Sequence, residues 1–104
     1  MSEYHIPVML GECLDYLAIK PDGTYVDCTL GGGGHSSEIA QKLSSKGLLI
    51  SLDLDDEALD HVREHQKSLD YKCEWKLVKS NFAKLADVLK DLGIEKVEGI
   101  LSQK

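Results

Sequence analysis

At 104 residues, with 42% apolar and 29% charged side chains, the chain is the size of one small globular domain, and its composition excludes disorder, collagen-like repeats and low-complexity architecture. Twelve Lys and Arg against eighteen Asp and Glu give a formal charge of −6, which opposes a non-specific hold on phosphate backbones. A nucleic-acid contact must therefore be local or lie outside this chain.

Cys13, Cys28 and Cys73 are odd in number, far apart and never in a Cys-x-x-Cys pair. They signal neither a disulfide framework nor a zinc knuckle and read as reduced, mostly buried thiols. The apolar run from Gly47 to Leu52 is about a third of a bilayer span and is followed by Asp53, so no membrane segment is expected. Met1-Ser2-Glu3-Tyr4-His5 lacks the basic start and apolar stretch of a secretion signal, and the expected location is the cytoplasm.

In chain order, Met9, Leu10, Cys13, Leu14 and Leu17 follow helical spacing, and Pro21-Asp22-Gly23 stops that helix, so a short helix is expected before any strand. Thr24 to Thr29 is β-branched and aromatic, the first strand, and runs directly into the glycines Gly31 to Gly34. Ser36 is placed to cap a helix with Ile39, Ala40 and Leu43 inward, and Lys46-Gly47 offers a basic last turn and a left-handed stop. Leu48 to Leu52 is the near-continuous apolar run of a strand covered on both faces, ending at Asp53.

Asp55, Asp56 and Glu57 then put negative charge in the first turn of a helix whose stripe is Ala58, Leu59, Val62 and Leu69. Trp75 to Val78 reads as the third strand. Ser80 or Asn81 can cap a further helix with Leu85, Val88, Leu89 and Leu92 inward, closed by Gly93, and Val97 to Leu101 begins a fourth strand. This alternation predicts a parallel α/β sheet of Rossmann type, one partial domain over 1–104. The fourth strand of such a sheet lies beside the first. Ending at Ser102-Gln103-Lys104, the chain is expected to leave that strand as an exposed apolar edge, open to self-association.

The strongest chemical signal is Asp27-Cys28-Thr29-Leu30-Gly31-Gly32-Gly33-Gly34-His35-Ser36, between a strand and a helix. Glycines let backbone approach a ligand closely, and free amides at a helix start meet polar or anionic groups. The match to G-x-G-x-x-G is incomplete, because Ser36 stands at its last position. Asp53, about twenty residues further at the end of the second strand, is where a carboxylate accepts hydrogen bonds from the ribose hydroxyls of an adenosine. Asp27, before the loop, would repel a pyrophosphate but favour the positive sulfonium and ammonium of S-adenosylmethionine.

His5-x-Pro7-Val8, Pro21-x-Gly23-x-Tyr25-Val26-Asp27-x-Thr29-Leu30-Gly31-x-Gly33-Gly34-His35-Ser36, Leu49-Ile50-x-x-Asp53-x-Asp55 and Asn81-Phe82 together resemble the bacterial small-subunit (16S) ribosomal RNA cytosine N4-methyltransferases, over essentially the whole chain. The resemblance implies a Rossmann-like class I methyltransferase fold cut short after the start of its fourth strand. It implies transfer of a methyl group from S-adenosylmethionine to a cytidine amine, with 16S ribosomal RNA or the small ribosomal subunit as partner. By the same resemblance, Gly33, Gly34 and His35 line the methionine end of the cofactor, Asp53 holds the ribose, and Phe82 lies against the adenine; Asp27 and Gly31 are further candidate cofactor-binding residues. Gln103 stands where the family carries a further cofactor-contacting aspartate, and the family's later strands and helical insertion do not follow. The chain alone is therefore expected to be inactive, and no catalytic acid, base or nucleophile is assigned; His35 suits a loop hydrogen-bond donor better than a general base.

Two other readings stand beside this one, a nicotinamide-dependent oxidoreductase fragment and a non-enzymatic module that binds a partner through the strand-four edge. His61-Val62-Arg63-Glu64-His65 spells H-x-x-E-H, yet His61 and Glu64 fall on the solvent side, two imidazoles are not a site and no third ligand is placed, so no metal is expected. Tyr4, Tyr16, Tyr25, Tyr71 and Trp75 are scattered without basic interleaving and read as core or boundary residues rather than a base-stacking platform.

Overall fold

The computed structural model describes residues 8–9, 19–28 and 34–101. Its strands are β1 (Val8–Met9), β2 (Thr24–Asp27), β3 (Leu48–Asp53), β4 (Glu74–Lys79) and β5 (Gly99–Leu101), and its helices are α1 (Gly34–Lys42), α2 (Asp56–Ser68) and α3 (Leu85–Asp91). A 3₁₀ turn, Phe82–Lys84, leads into α3. The strands form one parallel sheet in the order β1-β5-β2-β3-β4. The α/β class and the Rossmann-type arrangement expected from the alternation are both present.

The sheet grows outward from β2 through β3 to β4 and then reverses, so that β5 lies on the other side of β2. Right-handed crossovers running in opposite directions must place their helices on opposite faces. The core divides accordingly. Ile39 and Ala40 of α1 and Leu59 and Val62 of α2 pack on one face with Tyr25 and Leu49, while Leu85 and Leu89 of α3 pack on the other with Val26 and Ile50. Strand β3 is buried from Leu49 to Leu52, as its apolar run requires for a strand covered on both sides.

Several local expectations are corrected. Val8 and Met9 form a strand paired in parallel with Ile100 and Leu101, so a strand precedes the first helix position read from Met9; the rest of that helix lies outside the described residues. The same pairing covers β5, which sits between β1 and β2, and removes the exposed strand-four edge proposed for self-association. Helix α1 starts at Gly34, so Ser36 lies inside its first turn rather than capping it, and Lys42 supplies the basic last turn. Leu92 is more than a third exposed because α3 ends at Asp91. Asp55 caps α2 through the Glu57 amide at 2.9 Å, with Asp56 and Glu57 following in the first turn as expected.

Two glycines end helix segments for different reasons. Gly93 has φ of 74°, the left-handed stop expected of it. Gly47 does not take a positive φ; a Cβ there would lie 2.6 Å from the Pro21 carbonyl oxygen and 2.8 Å from Leu43 Cβ. Its role is close approach between the β2 and β3 entry loops. Gly47→Ala should therefore destabilise the fold by about 1–3 kcal/mol through overpacking. Gly93→Asn, which tolerates the left-handed region, should cost less. Thermal unfolding of the two variants side by side checks this order.

Candidate functional site

The crevice that matters opens over the carboxyl ends of β2, β3 and β4. It has a volume of about 220 Å³ and is lined by Cys28, Leu52, Asp53, Leu54, Ser80 and Asn81. In open α/β sheets ligands bind at this end, because loops leave the strands there and helices begin there. A second hollow of about 310 Å³, lined in part by Pro21, Ser44 and Tyr71, lies at the opposite, amino end of the strands.

Asp53 is half-buried at the last position of β3. Its Oδ1 accepts the Asp55 amide at 2.8 Å, and its backbone carbonyl accepts the Ser80 amide at 3.1 Å. Both bonds fix the carboxylate at the rim, and among the described residues Oδ2 has no donor. Leu54, 58% exposed, extends an apolar surface beside it. The opposite wall is set by Asn81, whose Oδ1 accepts the Lys84 amide at 3.1 Å and so caps the 3₁₀ turn opening with Phe82.

Asp27 is buried with no solvent exposure. A carboxyl group so placed costs several kcal/mol unless hydrogen-bonded. Ser36 Oγ donates to Asp27 Oδ2 at 2.5 Å and lies 2.6 Å from Ser51 Oγ, which accepts Trp75 Nε1–H at 2.9 Å. The period of two explains the assembly: Tyr25 and Asp27, Leu49 and Ser51, and Trp75 and Leu77 fall on the α1–α2 face, with Asp27 opposite Ser51 in register. Among the described residues, no buried side-chain nitrogen or oxygen lacks a partner.

The structure thus brings Asp27, Asp53 and the starts of α1 and the 3₁₀ turn to one end of the sheet. Gly34 and His35 open α1, and Phe82 opens the turn. Gly31 and Gly33 lie outside the described residues. The residues not anticipated for this site are Cys28, Leu54, Ser80 and Asn81 along the crevice, and Ser51 and Trp75 beneath it. Ser51 carried a signal, being the one polar residue in an apolar run that both faces cover.

The other sequence motifs lie elsewhere. His61, Glu64 and His65 are exposed on α2, and Glu64 pairs with Lys67 at 3.1 Å. Among the described residues no group of three or more His, Cys, Asp or Glu is arranged to hold a metal, and no helix is long and apolar enough to cross a membrane. Tyr25 and Trp75 are buried, and Tyr71 meets Trp75 edge-on with ring centroids 5.1 Å apart, so these aromatics serve the core.

Comparison with known proteins decides the family. The family model described as the MraW methylase family matches residues 2–103. The chain belongs to that family. It is 48% identical over 100 residues to a Ribosomal RNA small subunit methyltransferase H of Fusobacterium nucleatum, covering 96% of this chain and 31% of the relative. Proteins of the same name from Brevibacillus brevis and Clostridioides difficile are 50% identical over 101 residues and 45% identical over 102, covering 97% and 98% of this chain and 32% of each relative. The chain spans about a third of the length of these relatives.

Cys28 reports on the electrostatics of the crevice. Burial, and then the negative charge of Asp27 beside it, push its thiol up to about 12 from an ordinary 9.0. The protonated form is thus favoured by folding. That contribution to stability is complete below the unfolded thiol's value and is lost as pH rises towards 12. Iodoacetamide labelling of Cys28 at pH 8 should run about a thousandfold slower than for an unfolded thiol and accelerate about tenfold per pH unit up to about 11, as read by peptide mass spectrometry.

Proposed function

We propose that this chain is the cofactor-binding portion of an enzyme that transfers a methyl group from S-adenosylmethionine to the N4 amine of a cytidine in 16S ribosomal RNA. The observation that carries the reading is the half-buried Asp53 at the rim of the crevice, with one oxygen tied to the backbone and the other without a donor among the described residues. Family membership and the name borne by the relatives support methyl transfer to small-subunit ribosomal RNA.

The donor set fits a nucleoside. A carboxylate acceptor paired with an apolar neighbour, Leu54, matches a ribose diol next to an aromatic base. Ser80 and Asn81 form the far wall, against which the base would lie. Glycines Gly31, Gly33 and Gly34 with His35 would bring backbone against the methionine end. Asp27 contributes through its charge and its hold on α1 rather than through an exposed contact, because it is fully buried and engaged by Ser36.

When bound, S-adenosylmethionine supplies an electrophilic methyl group on a positively charged sulfur. The chain's own part is to hold and orient. A cytosine amine is a weak nucleophile, since its lone pair is shared with the ring, so alignment supplies much of the rate. We assign no acid or base to the described residues, and the chain spans about a third of the relatives' length. The net charge of −6 opposes a non-specific grip on RNA by this chain.

Equilibrium dialysis with radiolabelled S-adenosylmethionine tests the reading, with NAD as comparator. The chain should retain the methyl donor and not NAD. Asp53→Ala should weaken retention by about 5- to 150-fold, that is, about 1–3 kcal/mol. Equal affinity in both proteins would remove Asp53 from the site, and retention of NAD in place of the methyl donor would overturn the assignment.

A further inference from the structure

The buried chain from Trp75 to Asp27 has a single consistent direction. The indole Nε1–H can only donate, and it donates to Ser51 Oγ at 2.9 Å. The Ser36 hydroxyl spends its one proton on Asp27 Oδ2 at 2.5 Å. The 2.6 Å contact between the two hydroxyls is therefore Ser51 donating to Ser36. Three hydrogen bonds thus point the same way and end on one carboxyl group. Such an array polarises along its length, so each bond strengthens the next.

The four residues come from four elements: Asp27 from β2, Ser36 from the first turn of α1, Ser51 from β3 and Trp75 from β4. Asp27, Ser36 and Ser51 have no exposure, and Trp75 is 8% exposed. A dry apolar core would have been cheaper for Ser51 than a hydroxyl that needs two partners. The array also reaches the one helix whose start follows the glycine loop, and it fixes the third residue of that helix.

We infer that Ser36 and Ser51 are positioning residues for the methyl-donor site: they set the orientation of the Asp27 carboxyl group and of the first turn of α1, and they couple the site to the indole of Trp75. This rests on the S-adenosylmethionine reading above. A positively charged ligand near Asp27 draws on its electron density and weakens its acceptance from Ser36. The change passes through Ser51 to the indole N–H, whose emission responds to the strength of that bond.

The test uses the chain's only tryptophan, Trp75, as its own probe. S-adenosylmethionine is titrated into the parent chain and into Ser36→Ala, Ser51→Ala and Trp75→Phe at 10 °C, with affinity from equilibrium dialysis, indole emission where Trp75 remains, and melting temperature from circular dichroism. The parent should show an emission change that saturates with binding. Ser36→Ala should bind about tenfold more weakly. Ser51→Ala should bind about two- to fivefold more weakly and lose the emission change at full occupancy. Trp75→Phe should fall in the same range as Ser51→Ala.

A merely structural role would lower the melting temperature and leave both affinity and the emission change at full occupancy as in the parent, and that result overturns the inference. If Ser36→Ala does not fold, the emission response of Ser51→Ala decides by itself. Absence of binding in the parent overturns the cofactor reading, and this inference with it; binding in the parent with an unaltered response in the variants overturns the positioning role alone.

Discussion

A carboxyl group sealed from water at the end of a strand imposes a condition on everything around it. Asp27 has no exposure, so its oxygens must find donors inside the protein. Ser36 reaches it only if α1 begins at Gly34 and lies across β2, and Ser36 is completed only if Ser51 faces the same way on β3. The indole of Trp75 then closes the row from β4. Three strands and a helix are tied in register by one polar thread within an otherwise apolar face, and a slip of one residue in any strand would turn its contributor to the opposite face.

That thread and the crevice share one end of the sheet. Parallel strands deliver all their carboxyl ends together, so the residues that follow β2, β3 and β4 meet without any long-range device. Charge in the crevice is graded by depth. Asp27 lies beneath, Cys28 is half-buried beside it with its thiol held protonated, and Asp53 stands half-buried at the rim. The arrangement suits a ligand that is polar along one edge, apolar along another and positive where it comes nearest the buried carboxyl group.

Much of this was legible in the residues. The run Leu48 to Leu52 declared a strand covered on both faces, Asp53 closed it, and Asp55 to Glu57 opened the next helix, because apolar continuity and helix-end charge are local signals. The alternation fixed the class, and Asp53 marks the end of the sheet at which the crevice opens. Ser36 was misread as a cap because capping and long-range bonding use the same hydroxyl; only the placement of Ser51, 15 residues on, distinguishes them. Gly47 was misread as a left-handed stop because steric approach by Pro21 and Leu43 is invisible in one dimension. Two apolar residues such as Val8 and Met9 fit a helix or a strand equally well, and their partner lies at the far end of the chain.

That partnership fixes an order of assembly. Val8 and Met9 pair with Ile100 and Leu101, and β5 must enter between β1 and β2 before β1 has anywhere to dock. The contact closes a loop of about ninety residues, and such distant pairings form late and slow the whole reaction. On a ribosome, β1 is made well before β5, and its place in the fold is created only by residues synthesised about ninety codons later.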